Sequence, residues 1–142
     1  MSIRYQRTLA GIDWAELAAV VARAGLGTPD PLHEQRAYAN SALYVFAFDQ
    51  TTLIGAARAI SDGIYHAQLC DMVVLPEWQG QGIGRAMATQ ILDDLGGIKV
   101  LLTASFGKEG FYRKLGFRRH KTTLARNYGA WWYADPASDL PE

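Results

Sequence analysis

The sequence predicts a mixed α/β (α+β) fold, with a central, mostly antiparallel sheet of six to seven strands and about four helices. Three observations carry that reading. Residues 41–76 contain three apolar runs, ALYVFAF, TTLIGAARAI and IYHAQLCDMVVLP, separated by the turn signals Asp49-Gln50 and Asp62-Gly63, the pattern of three consecutive antiparallel strands. The flanking segments carry apolar residues at helical spacing. Between the third run and the helix after it lies EWQGQGIGRA, residues 77 to 86, with Gly80, Gly82 and Gly84 at alternate positions.

The elements follow in order. A strand is expected at Ile3 to Arg7. Asp13 then caps a helix, with Glu16 at its third position and Ile12 and Leu17 placed to staple across the cap. Trp14, Leu17, Val20, Val21 and Ala24 form its apolar face, and Gly25 ends it. Asp30 caps a second helix that begins with Pro31 and closes near Tyr38. ALYVFAF is apolar on both faces, as a strand covered on each side should be. Pro76 stops the third run. Ile83, Ala86, Met87, Ile91, Leu92 and Leu95 share one face of the next helix, which Gly96 and Gly97 close. That helix crosses over to a strand in IKVLLTAS. GKEGFYRKLGF reads as a short helix ended by Gly116, with a further strand starting at Phe117 and a last one in YGAWWY, Tyr128 to Tyr133.

The length of 142 residues suits one domain, residues 1–142, with a single core. Fourteen basic residues balance fourteen acidic ones, which argues against a nucleic-acid footprint or a polybasic membrane anchor. Cys70 is the only cysteine, so no internal disulfide forms. No stretch approaches the roughly 18 apolar residues of a membrane span, and the N-terminus has no apolar signal-peptide core. A cytoplasmic protein is expected.

Glycine in a helix costs about 1 kcal/mol relative to alanine, so the three glycines answer to something other than helix stability. A strand that stops, a glycine loop and a helix beginning inside it leave several backbone N–H groups pointing one way. Those donors and the helix dipole favour an anion, and the missing side chains let phosphate oxygens approach. A P-loop is ruled out because Arg85 and Ala86 follow Gly84 where lysine and a hydroxyl are required. The dinucleotide fingerprint fails on its glycine spacing and on the hairpins that precede it.

Gln79-Gly80-Gln81-Gly82-Ile83-Gly84 resembles the [QR]-x-x-G-x-[GA] loop of the GNAT acyltransferases, and it follows Val73-Val74-Leu75-Pro76 as that family's loop follows its apolar strand. Phe111-Tyr112-Arg113-Lys114-Leu115-Gly116-Phe117 is similar to the family's downstream F-Y-x-K-x-G-F segment. The match covers about residues 41 to 121 and looks closest to short bacterial and plastid members, some of which acetylate arylalkylamines.

The resemblance implies acetyl-coenzyme A as acyl donor, direct transfer to an amine, and the following roles. Gln79, Gly80, Gln81, Gly82, Ile83 and Gly84, with Arg85 beside them, would hold the pyrophosphate. Val73, Val74 and Leu75 would offer backbone groups to the pantetheine arm, and a strand N–H would polarise the thioester carbonyl. Tyr112 would protonate the departing thiolate, although on the residues alone it also reads as a packing aromatic. Many members carry an asparagine after the fifth strand; here Thr103-Ala104-Ser105 offers only Ser105 for that contact.

Asp71 interrupts an apolar stripe of Tyr65, Leu69, Val73 and Leu75 on one strand face, with Cys70, Met72 and Val74 on the other. It is either a base or holder for the incoming ammonium, or a structural carboxylate bonded to backbone or to an arginine such as Arg58. Cys70 reads as core. His33, His66 and His120 lack metal-ligand spacing, so no metal is expected. The segment joining the first two helices, which borders the acceptor site in the family, contains Asp30, Glu34 and Tyr38 and favours a cationic or aromatic small-molecule amine, a polyamine, an arylalkylamine or similar. A non-catalytic acyl-coenzyme A sensor and a protein amine as acceptor are the alternatives. Trp131, Trp132 and Tyr133 on an expected edge strand point to a homodimer.

Overall fold

The computed structural model describes residues 2–105 and 107–126. Two compact units divide the chain, Met1–Thr103 and Ala104–Glu142.

The first unit runs β1 (Ile3–Gln6), α1 (Trp14–Arg23), α2 (Pro31–Ala39), β2 (Leu43–Asp49), β3 (Thr52–Ser61), β4 (His66–Val74), a 3-10 turn (Pro76–Trp78), α3 (Ile83–Leu95) and β5 (Lys99–Leu102). Its sheet has the order β1-β2-β3-β4-β5. The first four strands are antiparallel neighbours, and β5, reached by the α3 crossover, lies parallel to β4. A helix-length connection is what a parallel neighbour requires. Val45 to Phe48 are all buried, so β2 is covered on both faces.

The cap of α1 forms as expected: Asp13 Oδ1 accepts from the N–H groups of Ala15 and Glu16 at 3.0 and 3.1 Å. Glu16 does not turn back to close a capping box. Its Oε2 instead accepts the Leu53 N–H at 3.3 Å, at a β-bulge where Ile54 has no partner between the pairs Ala47↔Gly55 and Phe48↔Leu53. A bulge disrupts the ladder locally, and here a helix carboxylate takes up a displaced donor. Asp62 shapes the β3–β4 hairpin, accepting from the N–H groups of Ile64, Tyr65 and His66. These bonds hold its carboxyl down at about 2. Ile64 and Tyr65 therefore belong to the turn, and β4 starts at His66 rather than at Ile64.

In α3, Ile83, Met87, Ile91 and Leu95 are buried. Each such side chain contributes about 1.5–3 kcal/mol, which outweighs the cost of about 1 kcal/mol for Gly84 in the first turn. Met87 marks the sheet face that α3 covers. A Cβ added to Gly55 would stand 3.2 Å from Met87 Cε and 2.9 Å from the Val73 carbonyl oxygen of β4. Gly55→Ala should therefore destabilise the protein by about 1–3 kcal/mol, the usual cost of overpacking. A thermal melt should show a drop of several degrees, and adding Met87→Ala should not restore it, because the nearest obstacle is main chain.

The second unit contributes α4 (Glu109–Arg113) among the described residues. The strand expected from Phe117 does not form there. The Phe117 N–H bonds back to the Tyr112 carbonyl at 3.1 Å and the Gly116 N–H to the Arg113 carbonyl at 3.0 Å, with Gly116 at φ +95°. This is a helix-closing arrangement, and it takes the donor with which a strand at Phe117 would begin its ladder. The sheet accordingly has five strands among the described residues, against the six to seven expected. Tyr128 to Tyr133, on which a last strand and the homodimer rested, lie outside the described residues.

Candidate active site

The pairing of β4 with β5 ends where the first unit's candidate site lies. β4 pairs with β5 only from His66↔Lys99 to Leu69↔Leu102, although β4 continues to Val74. The ladder stops beside a β-bulge: Ala57 faces Met72 and Ala59 faces Leu69, so Cys70 and Asp71 together oppose the single residue Arg58. β5 ends at Leu102, so β4 from Cys70 to Val74 has no β5 residue opposite it, and the bulge disrupts its ladder to β3 at the same point.

The bulge also corrects the expected face pattern. Asp71 does not share a face with Leu69. The extra residue changes the parity, so that Leu69 joins Met72 on the side of Ala57 and Ala59, while Asp71 meets Arg58.

Backbone groups along the open half of β4 are divided by strand alternation. The Leu75 N–H donates to the Ile54 carbonyl at 2.8 Å, so this end of β4 spends Leu75 and Val73 on β3. Val74 and Met72 turn the other way, toward the edge β5 has left. The Val74 carbonyl accepts from Gln79 Nε2 at 2.9 Å, which ties the glycine loop to the strand end. The sequence reading named Val73, Val74 and Leu75 together; it missed Met72, because only the bulge register reveals which edge a backbone group faces.

The loop itself is built by conformation. Gly80 and Gly82 have φ of +79° and +82°, values that glycine adopts without the strain other residues incur. Nothing lies within 4 Å of a Cβ placed on either one. Gly82 is the N-cap of α3 and carries no side chain to bond the first-turn donors, and no acidic residue sits in that turn. The N-terminal N–H groups of Ile83, Gly84 and Arg85 therefore keep the positive end of the helix dipole uncompensated. Glu77 anchors the loop from below through both oxygens to Arg23 Nη2 at 2.9 and 2.8 Å.

On the opposite sheet face, α1 and α2 cover an aromatic group in which Tyr38 lies 5.1 Å from Phe46 and 5.7 Å from Trp14. Arg58 Nε donates to Asp71 Oδ2 at 2.8 Å and Nη1 lies 3.3 Å from Ser41 Oγ. Asp30 is occupied in capping α2, accepting from the Leu32 N–H at 2.8 Å. Cys70 is half-buried, with its thiol pushed up by burial.

In the second unit, Tyr112 stands edge-on to both Phe111 and Phe117, at 5.1 and 6.1 Å between ring centroids. Burial raises its phenol above the ordinary tyrosine value, so the hydroxyl is protonated at neutral pH. Ser105 is exposed, and its carbonyl accepts the Lys108 N–H at 3.0 Å. Among the described residues no His, Cys, Asp or Glu group of three or more is arranged to hold a metal ion, and no helix is long and apolar enough to cross a membrane.

A mixed sheet with one parallel pair at its β5 edge and a glycine-lined helix N-terminus following β4 defines a class of α/β proteins in which the helix start favours an anion. The profile of the acetyltransferase (GNAT) domain matches residues 25–132, and the chain belongs to that family. It is 34% identical over 119 residues to serotonin N-acetyltransferase 2, chloroplastic, of Oryza sativa subsp. japonica, covering 79% of this chain and 60% of the rice protein. It is 34% identical over 90 residues to histone acetyltransferase TAP1 of Glycine max, covering 60% of this chain and 37% of the soybean protein. Among solved structures, an acetyltransferase-like protein from Deinococcus radiodurans R1 superposes with a TM-score of 0.77 at 29% identity, over 89% of each chain. The chain thus spans 60% or less of the length of these two curated relatives.

Proposed function

We propose that this chain, as one domain of residues 1–142, is an N-acetyltransferase that moves the acetyl group of acetyl-coenzyme A directly to a primary amine of a small molecule. The observation that carries the reading is the cradle at the start of α3: two positive-φ glycines, open space above them and a helix N-terminus without a capping side chain. Such a cradle suits a pyrophosphate, and the family match names the donor class. Bound there, the donor supplies an activated acetyl thioester. Gln79, Gly80, Gln81, Gly82, Ile83, Gly84 and Arg85 hold its phosphates. The exposed edge of β4 at Val74 and Met72 receives the arm, Val73 and Leu75 fix that edge to β3, and Ser105 adds a hydroxyl.

Tyr112 is the proton donor to the departing thiolate. Asp71, ion-paired with Arg58, is the base or holder for the incoming ammonium. The reaction takes place in the cytoplasm. The soybean relative's name favours a protein amine as the second reading.

The test is thermal shift with acetyl-coenzyme A followed by free-thiol release across a panel of small primary amines and a lysine-containing peptide. The expected result is a raised melting temperature and thiol release with a small amine. No shift and no thiol release would overturn the proposal, and turnover on the peptide alone would transfer it to the second reading.

A further inference from the structure

The bulge in β4 redirects one charged side chain, and the residue it meets is held by more contacts than an ion pair needs. Cys70 and Asp71 together oppose Arg58, so Asp71 reaches the face on which Arg58 stands and accepts from its Nε at 2.8 Å. Bulges beside functional sites re-aim side chains in this way.

Arg58 is also anchored from the end of α2. Its Nη1 lies 3.3 Å from Ser41 Oγ, and the Ser41 hydroxyl donates its own proton to the Ala37 carbonyl at 2.8 Å, which leaves its lone pairs for the guanidinium. The guanidinium carbon stands 5.8 Å from the ring centre of the fully buried Tyr38, within cation–π range. Glu34 Oε2, although buried, has no partner among the described residues, so the guanidinium is not divided between two carboxylates.

The pair is asymmetric. The Arg58 side chain is 18% exposed and that of Asp71 38%, so the arginine is the inner member and the carboxylate the outer one. Among the described residues only Oδ2 of Asp71 is bonded. Taking a guanidinium out of water is expensive and a buried pair seldom repays more than that cost, so stability alone is a poor account of the arrangement.

We infer that Arg58 is a positioning residue for the proposed transfer: it grips Asp71 by Oδ2 and keeps Oδ1 available to the incoming amine. The inference rests on the acetyltransferase reading and on the part Asp71 plays in it, and it adds the residue through which that part depends on the end of α2. Fixing one carboxylate oxygen confines the other, which spares the reaction the entropy of finding the productive geometry. Only a planar fork can hold Asp71 through Nε and Ser41 through Nη1 at once; the single ammonium of lysine would supply the charge without that geometry.

The test is a double-mutant cycle in the full chain: Arg58→Ala, Asp71→Asn and the two combined, with thiol release measured on the fastest amine of the panel, well below each variant's melting temperature so that loss of folded protein does not enter. Arg58→Ala should lower kcat/KM about 10-fold, the worth of one charge-assisted hydrogen bond, and through whichever of kcat or KM Asp71→Asn changes. The double variant should be no slower than Asp71→Asn, since Arg58 acts only through that carboxylate. Guanidinium chloride at low concentration should restore part of the rate to Arg58→Ala and none to the double variant. If Arg58→Ala does not fold, Arg58→Lys carries the same cycle. Losses that multiply in the double variant, or an Arg58 variant as active as the wild type, would overturn the inference while leaving the acetyltransferase reading intact. A wild type that releases thiol with no amine would overturn both.

Discussion

Gly82→Asn should leave the protein folded and without the thermal shift that acetyl-coenzyme A gives the wild type. Asparagine is among the few residues that tolerate positive φ, so it can keep the φ of +82° that defines the N-cap of α3. Nothing lies within 4 Å of the new Cβ, so the apo protein should melt within a few degrees of the parent. The side chain instead enters the space in which phosphate oxygens would approach the α3 donors, and its own oxygen can cap them. Binding to the folded state at a hundredfold excess over Kd is worth about 2.7 kcal/mol, which should raise the wild-type melting temperature by several degrees. A loss of about 100-fold in affinity removes nearly all of that. Retained affinity in a folded variant would move the pyrophosphate site away from this loop.

Tyr112→Phe should lower turnover about 100-fold while cofactor affinity stays near wild type. General acids contribute about 10² to 10⁴ in rate. Two features place this case at the lower end. A thiolate, with a pKa near the ~8.5 of cysteine, leaves without much help. Burial moreover lifts the Tyr112 phenol above its ordinary value, so the hydroxyl gives up its proton with little driving force and acts chiefly as a hydrogen-bond donor to developing charge. Phenylalanine keeps the edge-on contacts with Phe111 and Phe117, which isolates the hydroxyl from the packing. Since only a transition-state interaction is removed, the loss belongs in kcat. Unchanged turnover would return Tyr112 to a packing role. Normal cofactor binding without acetylation of any amine, even by the wild type, would favour a sensor.

Local signals carried much of this structure. Asp13, Asp30 and Asp62 each bond backbone N–H groups within four residues of themselves, so the caps and the hairpin are legible in a few letters. The glycine loop was legible for the same reason, since positive φ and open space are properties of the loop's own backbone. Glu16 was misjudged because its partner, Leu53, is 37 residues away at a bulge that no short-range signal marks.

The sequence by itself determined the α/β class, the three consecutive antiparallel strands and the crossover, the glycine loop at Gly80 to Gly84 that opens α3, and the family resemblance that draws attention to Tyr112. All of these depend on periodicity, turn chemistry or spacing, which act along the chain. Tertiary structure alone decided that one extra residue opposite Arg58 moves Asp71 away from the face of Leu69 and turns Met72 and Val74 toward the edge β5 has left. It alone decided that Arg58 is committed to Asp71 while Glu34 and the Tyr38 hydroxyl stay without partners. Strand register and charge pairing arise between segments far apart in the chain, and a single-residue slip inverts every side chain beyond it, so neither can be read from local pattern.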